Sequence, residues 1–252
     1  MPISAFKDYR DELRKAWKKA RHGLDEDSIH QLRVASRRMG SSLLLVESVL
    51  VEERSSSARR RIKRLMKKLG ILRDIQVQVS IVKKWKQTED VQRFADSLGR
   101  AERQEKGRIR DYLSRHRKQK ILQELRGFEK DAARRLKRIP QATMKARMQR
   151  VLSAQRMDLE AARKAMVPSD LSSLHAARRS ARKLRYCLEA AGAIVGPAPR
   201  SELQRLRRDQ TQLGNRRDRQ LLESKFQEWR GKSKPDPSFP HFPPAEAGTR
   251  KT

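Results

Sequence analysis

Apolar residues recur along this chain in alternating steps of three and four. One series runs through Ile29, Leu32, Ser36, Met39, Leu43, Val46 and Leu50. That spacing draws one narrow stripe along a helix and predicts a buried seam. No segment alternates with period two, so no strand is expected. Glycine and proline punctuate the periodic runs at Gly23, Gly70, Pro140, Pro168, Gly196-Pro197 and Gly214 and read as helix ends. The helices predicted on this basis span 3–22, 26–51, 55–69, 72–87, 89–117, 119–137, 141–166, 170–193, 199–212 and 215–230. The fold class is all-α. Residues 232–252 are Pro-rich without helical period and are expected to form a disordered tail.

The seam recurs. Leu174, Ala177, Ala181, Leu184, Leu188, Ala191 and Val195 repeat it 145 residues later. The polar positions recur with it: "SIHQLRVASRR" from Ser28 and "SLHAARRSARK" from Ser173 share Ser-x-His-x-x-Arg-x-x-x-Arg. His30, Arg33 and Arg37 share one helix face, and His175, Arg178 and Arg182 repeat it, extended by Arg185. This face lies roughly 130° from the seam, so it flanks the core. A neighbouring row holds Arg38 in one copy and Arg179 and Lys183 in the other. A second landmark repeats at an offset of 144: "KKLGILRDIQ" and "TQLGNRRDRQ" align Gly70 with Gly214, Arg73 with Arg217 and Asp74 with Asp218. Two landmarks in one order indicate an internal duplication. The expected architecture is a short-loop bundle for each half, about 1–117 and 118–231, related by a pseudo-twofold axis.

Charge decides among the roles such a bundle could play. With 62 Lys+Arg against 30 Asp+Glu, the net charge is +32. Such an excess repels itself in any compact state and points to a polyanionic partner. Nucleic acid, an anionic membrane surface and a phosphate polymer all fit that description. No run approaches the ~18–20 apolar residues of a membrane span. The first residues hold no uninterrupted apolar stretch, so no secretory leader is expected and a cytoplasmic location follows by default. Cys187 stands alone, which excludes a disulfide framework and reads as mid-helix packing.

Acidic partners at helical spacing are scarce in 30–38 and in the basic stretch "RRRIKRLMKK" at 59–68. The rows are therefore candidates for one shared anion site. Arginine suits phosphate because its planar fork donates two hydrogen bonds at once; lysine adds point charge. In the 59–68 helix the cationic positions are Arg60, Lys63, Arg64 and Lys67, matched in the second half by Arg205, Arg207 and Arg208. His30 and His175 lie near helix starts, where each is either a locally satisfied side chain or a phosphate contact. Arg73 and Arg217, with Asp74 and Asp218, are either capping and salt-bridge residues or direct anion contacts. No Cys or carboxylate cluster stands at ligand spacing, so neither a metal nor a cofactor is expected. Trp17, Trp85 and Trp229 are expected to close bundle cores. Aromatics make up 5% of the chain and do not interleave the basic rows, which argues against base stacking.

"SIHQLRVASRR", "IKRLMKKLGILRDIQVQ", "LHAARRSARKLRY" and "LGNRRDRQ", in that order, resemble the CHAD family, the conserved histidine α-helical domain, over residues 3–230. The resemblance implies two four-helix bundles about a pseudo-twofold with a basic central cleft. It implies binding of inorganic polyphosphate and association with polyphosphate granules. The family's histidine positions fall on His30 and His175. Its basic positions fall on Arg33, Arg37, Arg38, Arg178, Arg182, Lys183 and Arg185, with Arg60, Lys63, Arg64 and Lys67 on the helix before the first Leu-Gly and Arg207 and Arg208 opposite. Gly40 and Ser41, and "DQTQ" in the second Leu-Gly helix, depart from the pattern and weaken the expected symmetry. No Glu-x-Glu-x-Lys signature of a fused triphosphate-tunnel domain occurs. The expected function is non-catalytic polyphosphate binding, with nucleic acid as a nonspecific competitor. The alternatives are a nucleic-acid binder and an enzyme acting on phosphate chains.

Overall fold

The computed structural model of the chain describes residues 2–51, 57–167 and 169–232. Among these the backbone forms eight helices and no strand. They are α1 (Pro2–Gly23), α2 (Glu26–Leu50), α3 (Ser57–Val82), α4 (Glu89–Tyr112), α5 (Arg115–Leu136), α6 (Gln141–Lys164), α7 (Leu171–Val195) and α8 (Arg200–Lys232). Pro168 and the expected tail beyond Lys232 lie outside the described residues.

Two expected helix ends do not occur. α3 passes through Gly70 and α8 through Gly214, so four predicted helices become two. A glycine inside a helix costs about 1 kcal/mol relative to alanine. Burial on both sides of it, at Leu69 and Leu72 in α3, outweighs that.

α2 is the hub. It packs against α1, α3, α5, α6 and α7. All seven residues of its predicted seam are buried. In α7 the repeated seam is buried from Leu174 to Ala191, and Val195 packs at its edge. The duplication is visible in the packing: α1–α2 and α2–α3 in the first half correspond to α6–α7 and α7–α8 in the second, with α2 against α7 as the junction. The remaining helices do not follow this pairing. α5 packs on α1, α2 and α3, so a chain division at 117/118 cuts a helix that belongs spatially to the first half. α4 bridges α3 and α8.

At the junction Cys187 is buried and hydrogen-bonded to Ser41, and burial pushes its thiol pKa up to about 11. A thiol so raised stays protonated and unreactive. Trp17 is buried and its Nε1 donates to the Leu113 carbonyl at 3.3 Å. Trp85 and Trp229 join Phe94 and Phe226 in a separate core where α3, α4 and α8 meet, with Phe94 and Phe226 ring centroids 5.1 Å apart. This cluster pins the far end of α8 to the first half.

The α2 and α7 starts are fixed by one device used twice. The Asp25 carboxylate accepts the Ser28 amide at 2.8 Å. The Asp170 carboxylate accepts Ser172 and Ser173 amides at 2.9 and 3.0 Å. These aspartates are themselves 145 residues apart, so the duplication begins at the caps. The amide bonds, foremost that from Ser28, hold the Asp25 pKa below its ordinary 3.8. The cap therefore contributes fully above that pH and is lost as pH falls through the lowered folded value. Asp25→Ala is expected to cost about 1 kcal/mol at neutral pH. Thermal melts at pH 7 and pH 2.5 should show the deficit at the first and little of it at the second.

Candidate functional site

Between α2, α3, α7 and α8 lies an open cleft of about 760 Å³. Its cationic lining is Arg33, Arg37 and Arg38 from α2, Arg73 from α3, Arg178, Arg182 and Arg185 from α7, and Arg207 from α8, with His30 at the rim. Asp74 and Asp218 are the acidic residues among those lining it. The junction of α2 against α7 creates this arrangement. Because the arginine face flanks each seam, burying the two seams side by side turns both faces toward a common space.

The sequence-predicted rows divide here. His30, Arg33, Arg37, Arg38, Arg73, Arg178, Arg182, Arg185 and Arg207 come together. Arg60, Lys63, Arg64 and Lys67 do not line the cleft. They are exposed along the N-terminal part of α3, where α5 packs and where Arg61 pairs with Glu124 at 2.7 Å. Arg64 and Lys67 instead border a separate, smaller groove of about 190 Å³ with Lys68, Arg117, Lys120 and Tyr112. His175 is half-buried and Arg179 and Arg208 are exposed, none of them among the lining residues. Lys183 is turned toward α6, 3.8 Å from Asp158. The Arg217 side chain is outside what is described. Arg73 and Asp74 are not at a helix start, since α3 is continuous; Arg73 pairs with Glu26 of α2 at 2.6 Å. The two halves are thus unequal, with His30 and Arg207 lacking counterparts in the lining.

Carboxylates from α1 and α7 compensate one end of the cleft. Arg38 meets Glu12 at 2.6 Å and Glu189 at 4.0 Å. Glu189 also holds Arg185 at 2.7 Å and Arg207 at 3.7 Å. Burial works against the Arg38 charge, but Glu12 and Glu189 together outweigh it and its pKa is raised. Arg185 stacks on the buried Tyr186 ring, 4.1 Å from its centroid.

The middle of the cleft is different. Among the described residues no carboxylate stands within ion-pair distance of Arg33, Arg37 or Arg182. Desolvation, then the neighbouring Arg37 charge, pulls Arg33 down to about 10 and Arg182 to about 9. Arg178 contributes to both. Both groups remain protonated at neutral pH, and each pays for it in lost hydration and mutual repulsion. His30 is pushed below its ordinary 6.5 by partial desolvation and then by Arg73, Arg37 and Arg33, so its imidazole is neutral at pH 7. What such a centre can do is take up an anion. It presents forked donors in a partly water-excluded groove with their counter-charge missing.

Sequence reasoning missed several lining positions. Gln210, Thr211 and Asn215 continue the α8 stripe of Arg207, Gly214 and Asp218 at helical spacing. Glu12 carried no signal, because its partner Arg38 lies on another helix; Glu189 stands four residues after Arg185 on α7, a spacing that does signal an ion pair.

The CHAD domain family matches residues 4–227 of this chain. The fold matches a solved structure described as "Crystal structure of the CHAD domain from the plant Ricinus communis", with a TM-score of 0.75 and 19% identity, covering 92% of this chain and 78% of that one. At that identity the likeness is one of fold. No curated protein matches the chain.

Repulsion at the cleft centre should be measurable without any ligand. Arg182→Gln is expected to raise the melting temperature of the ligand-free protein at low salt by a few degrees, about 2–4 °C per kcal/mol for a chain of this size. Added sodium chloride should narrow the difference by screening the wild-type repulsion. A variant that melts lower than wild type at every salt concentration contradicts an uncompensated centre.

Proposed function

The chain belongs to the CHAD domain family, and from that premise we propose that it binds inorganic polyphosphate in the α2–α3–α7–α8 cleft without altering it chemically. The observation that carries this is the trio Arg33, Arg37 and Arg182, which faces the groove with no carboxylate within ion-pair distance among the described residues; the attraction of Asp74 for Arg33 is outweighed by desolvation and the Arg37 charge. A linear polyphosphate carries a charge on each residue and has no sequence to read, so spaced guanidinium forks suffice for recognition. The same proposal treats the α2–α7 junction as an internal pseudo-twofold between two bundles, with the cleft on its axis. Polyphosphate granules are then the cellular site at which to look for the protein.

Shape favours a single phosphate strand over duplex DNA. The arginines line a groove of about 760 Å³ between four helices, so a ligand must enter it to reach them, which suits a thin single chain better than a rigid duplex with its phosphates on the outside. Binding without turnover fits the placement of the lining carboxylates, since Asp74 and Asp218 stand on separate helices and, among the described residues, no acidic cluster offers a cradle for a divalent ion beside the arginines.

Isothermal titration with long-chain polyphosphate, duplex DNA and heparin at 150 mM salt tests this. Polyphosphate is expected to bind tightest. Arg37→Glu with Arg182→Glu should weaken it by at least about a hundredfold, given about 1.5–3 kcal/mol for each charged hydrogen bond, with helix content unchanged. Equal affinity in that double variant, or preference for DNA, contradicts the assignment.

A second expectation comes from His30. The His30 pKa lies below 6.5 in the free protein and a bound polyanion favours the imidazolium, so binding should take up a proton and tighten as pH falls below neutrality. His30→Gln should remove that increment while leaving affinity at pH 7.5 close to wild type. Proton uptake measured in buffers of different ionisation enthalpy gives the sign directly.

A further inference from the structure

Both duplicated landmarks meet at one contact, made twice. A Cβ built on Gly70 would lie 3.2 Å from Arg33 Nη1. One built on Gly214 would lie 3.0, 3.1 and 3.3 Å from Nε, Nη2 and Cζ of Arg178. Gly70 and Gly214 are the paired glycines of the two Leu-Gly segments, and Arg33 and Arg178 are the paired arginines of the two His-x-x-Arg segments. No other described helical glycine comes so near an arginine; Gly99, the next, would stand 3.8 Å from Arg103.

The backbone gives no reason for glycine at either place. Both sit inside long helices, and Gly196 is the described glycine with positive φ. Alanine would strengthen each helix. What glycine supplies is missing volume. Arg33 Nη1 donates to the Met66 carbonyl at 3.3 Å. Met66 is four residues before Gly70, so this carbonyl is the one the Gly70 amide bonds in a regular helix. The arginine therefore reaches the α3 backbone beside the missing side chain.

We propose that Gly70 and Gly214 are positioning residues: each leaves a notch in its helix that seats the arginine of the neighbouring helix, and so sets where Arg33 and Arg178 present their guanidinium groups to the cleft. The assignment rests on the cleft being the polyanion site. The atoms displaced by a Cβ are the far ends of flexible side chains, which can swing aside cheaply. An alanine should therefore disturb the site and spare the fold. Gly214, with three arginine atoms in close range, is the more sensitive of the two.

Gly214→Ala is expected to melt at or above the wild-type temperature while binding long-chain polyphosphate about tenfold more weakly. Gly70→Ala, the milder variant, should lose less. In an Arg178→Ala background, Gly214→Ala should cost nothing further, since its effect passes through that side chain. A Gly214→Ala protein that gains stability and keeps wild-type affinity overturns the inference, as does a loss that simply adds to that of Arg178→Ala. A second readout needs no ligand. The arginine Nε–Hε resonances of the free protein should change at Arg178 in Gly214→Ala and at Arg33 in Gly70→Ala; unchanged resonances overturn the notch. If wild type itself fails to bind polyphosphate, the functional proposal falls, and these resonances still decide whether the notches seat the arginines.

Discussion

Like charges resist being gathered, and this structure gathers them. Arg33, Arg37 and Arg182 share a groove in which desolvation and the Arg37 charge lower the pKa values of Arg33 and Arg182. A chain with a net charge of +32 can tolerate this because the cost is met where the helices pack. Two apolar seams fix α2 and α7 side by side, aspartate caps fix where those helices start, and an aromatic cluster ties the end of α8 to α3 and α4. None of these devices touches the cleft centre, yet together they hold its cations in place. The result is a site prepared for an anion before any anion arrives, which is the condition under which electrostatic recognition is strongest.

Compensation is graded along the cleft. Glu12 and Glu189 neutralise Arg38, Arg185 and Arg207 at one end, and Glu26 holds Arg73 at another. Those pairs keep the walls from repelling one another and leave the deficit of negative charge in the middle. The groove beside Arg64 and Lys67 is a different surface, smaller and lined from α3, α4 and α5. Net charge alone would not distinguish the two; the position of the carboxylates does.

Much of this was legible in the residues. The 3,4 spacing located the α2 and α7 seams, and the repeat at 145 residues paired the faces that now confront each other. What failed did so for tertiary reasons. Gly70 and Gly214 read as helix ends because glycine is the residue of choice there, but at Gly70 the neighbours Leu69 and Leu72 are buried and carry α3 onward, and α8 likewise runs unbroken through Gly214. Lys63 and Lys67 share the stripe of Gly70 and Asp74, yet both stand exposed on the part of α3 that lies outside the cleft lining, and a one-dimensional pattern does not say where along a stripe the neighbouring helices end. The acids that compensate Arg38 and Arg185 come from α1 and from farther along α7. Asp25 and Asp170, by contrast, did carry a signal, the same 145-residue offset, just outside the stretch compared.

The central claim is about place: that a polyphosphate lies between the duplicated helices and nowhere else with comparable occupancy. A crystal structure of the protein with tripolyphosphate tests it most directly. Phosphate density within hydrogen-bond distance of Arg37 and Arg182, between α2 and α7, is the predicted result. Density confined to the outer groove of Arg64, Lys67 and Lys120, with the cleft filled by water, would contradict it.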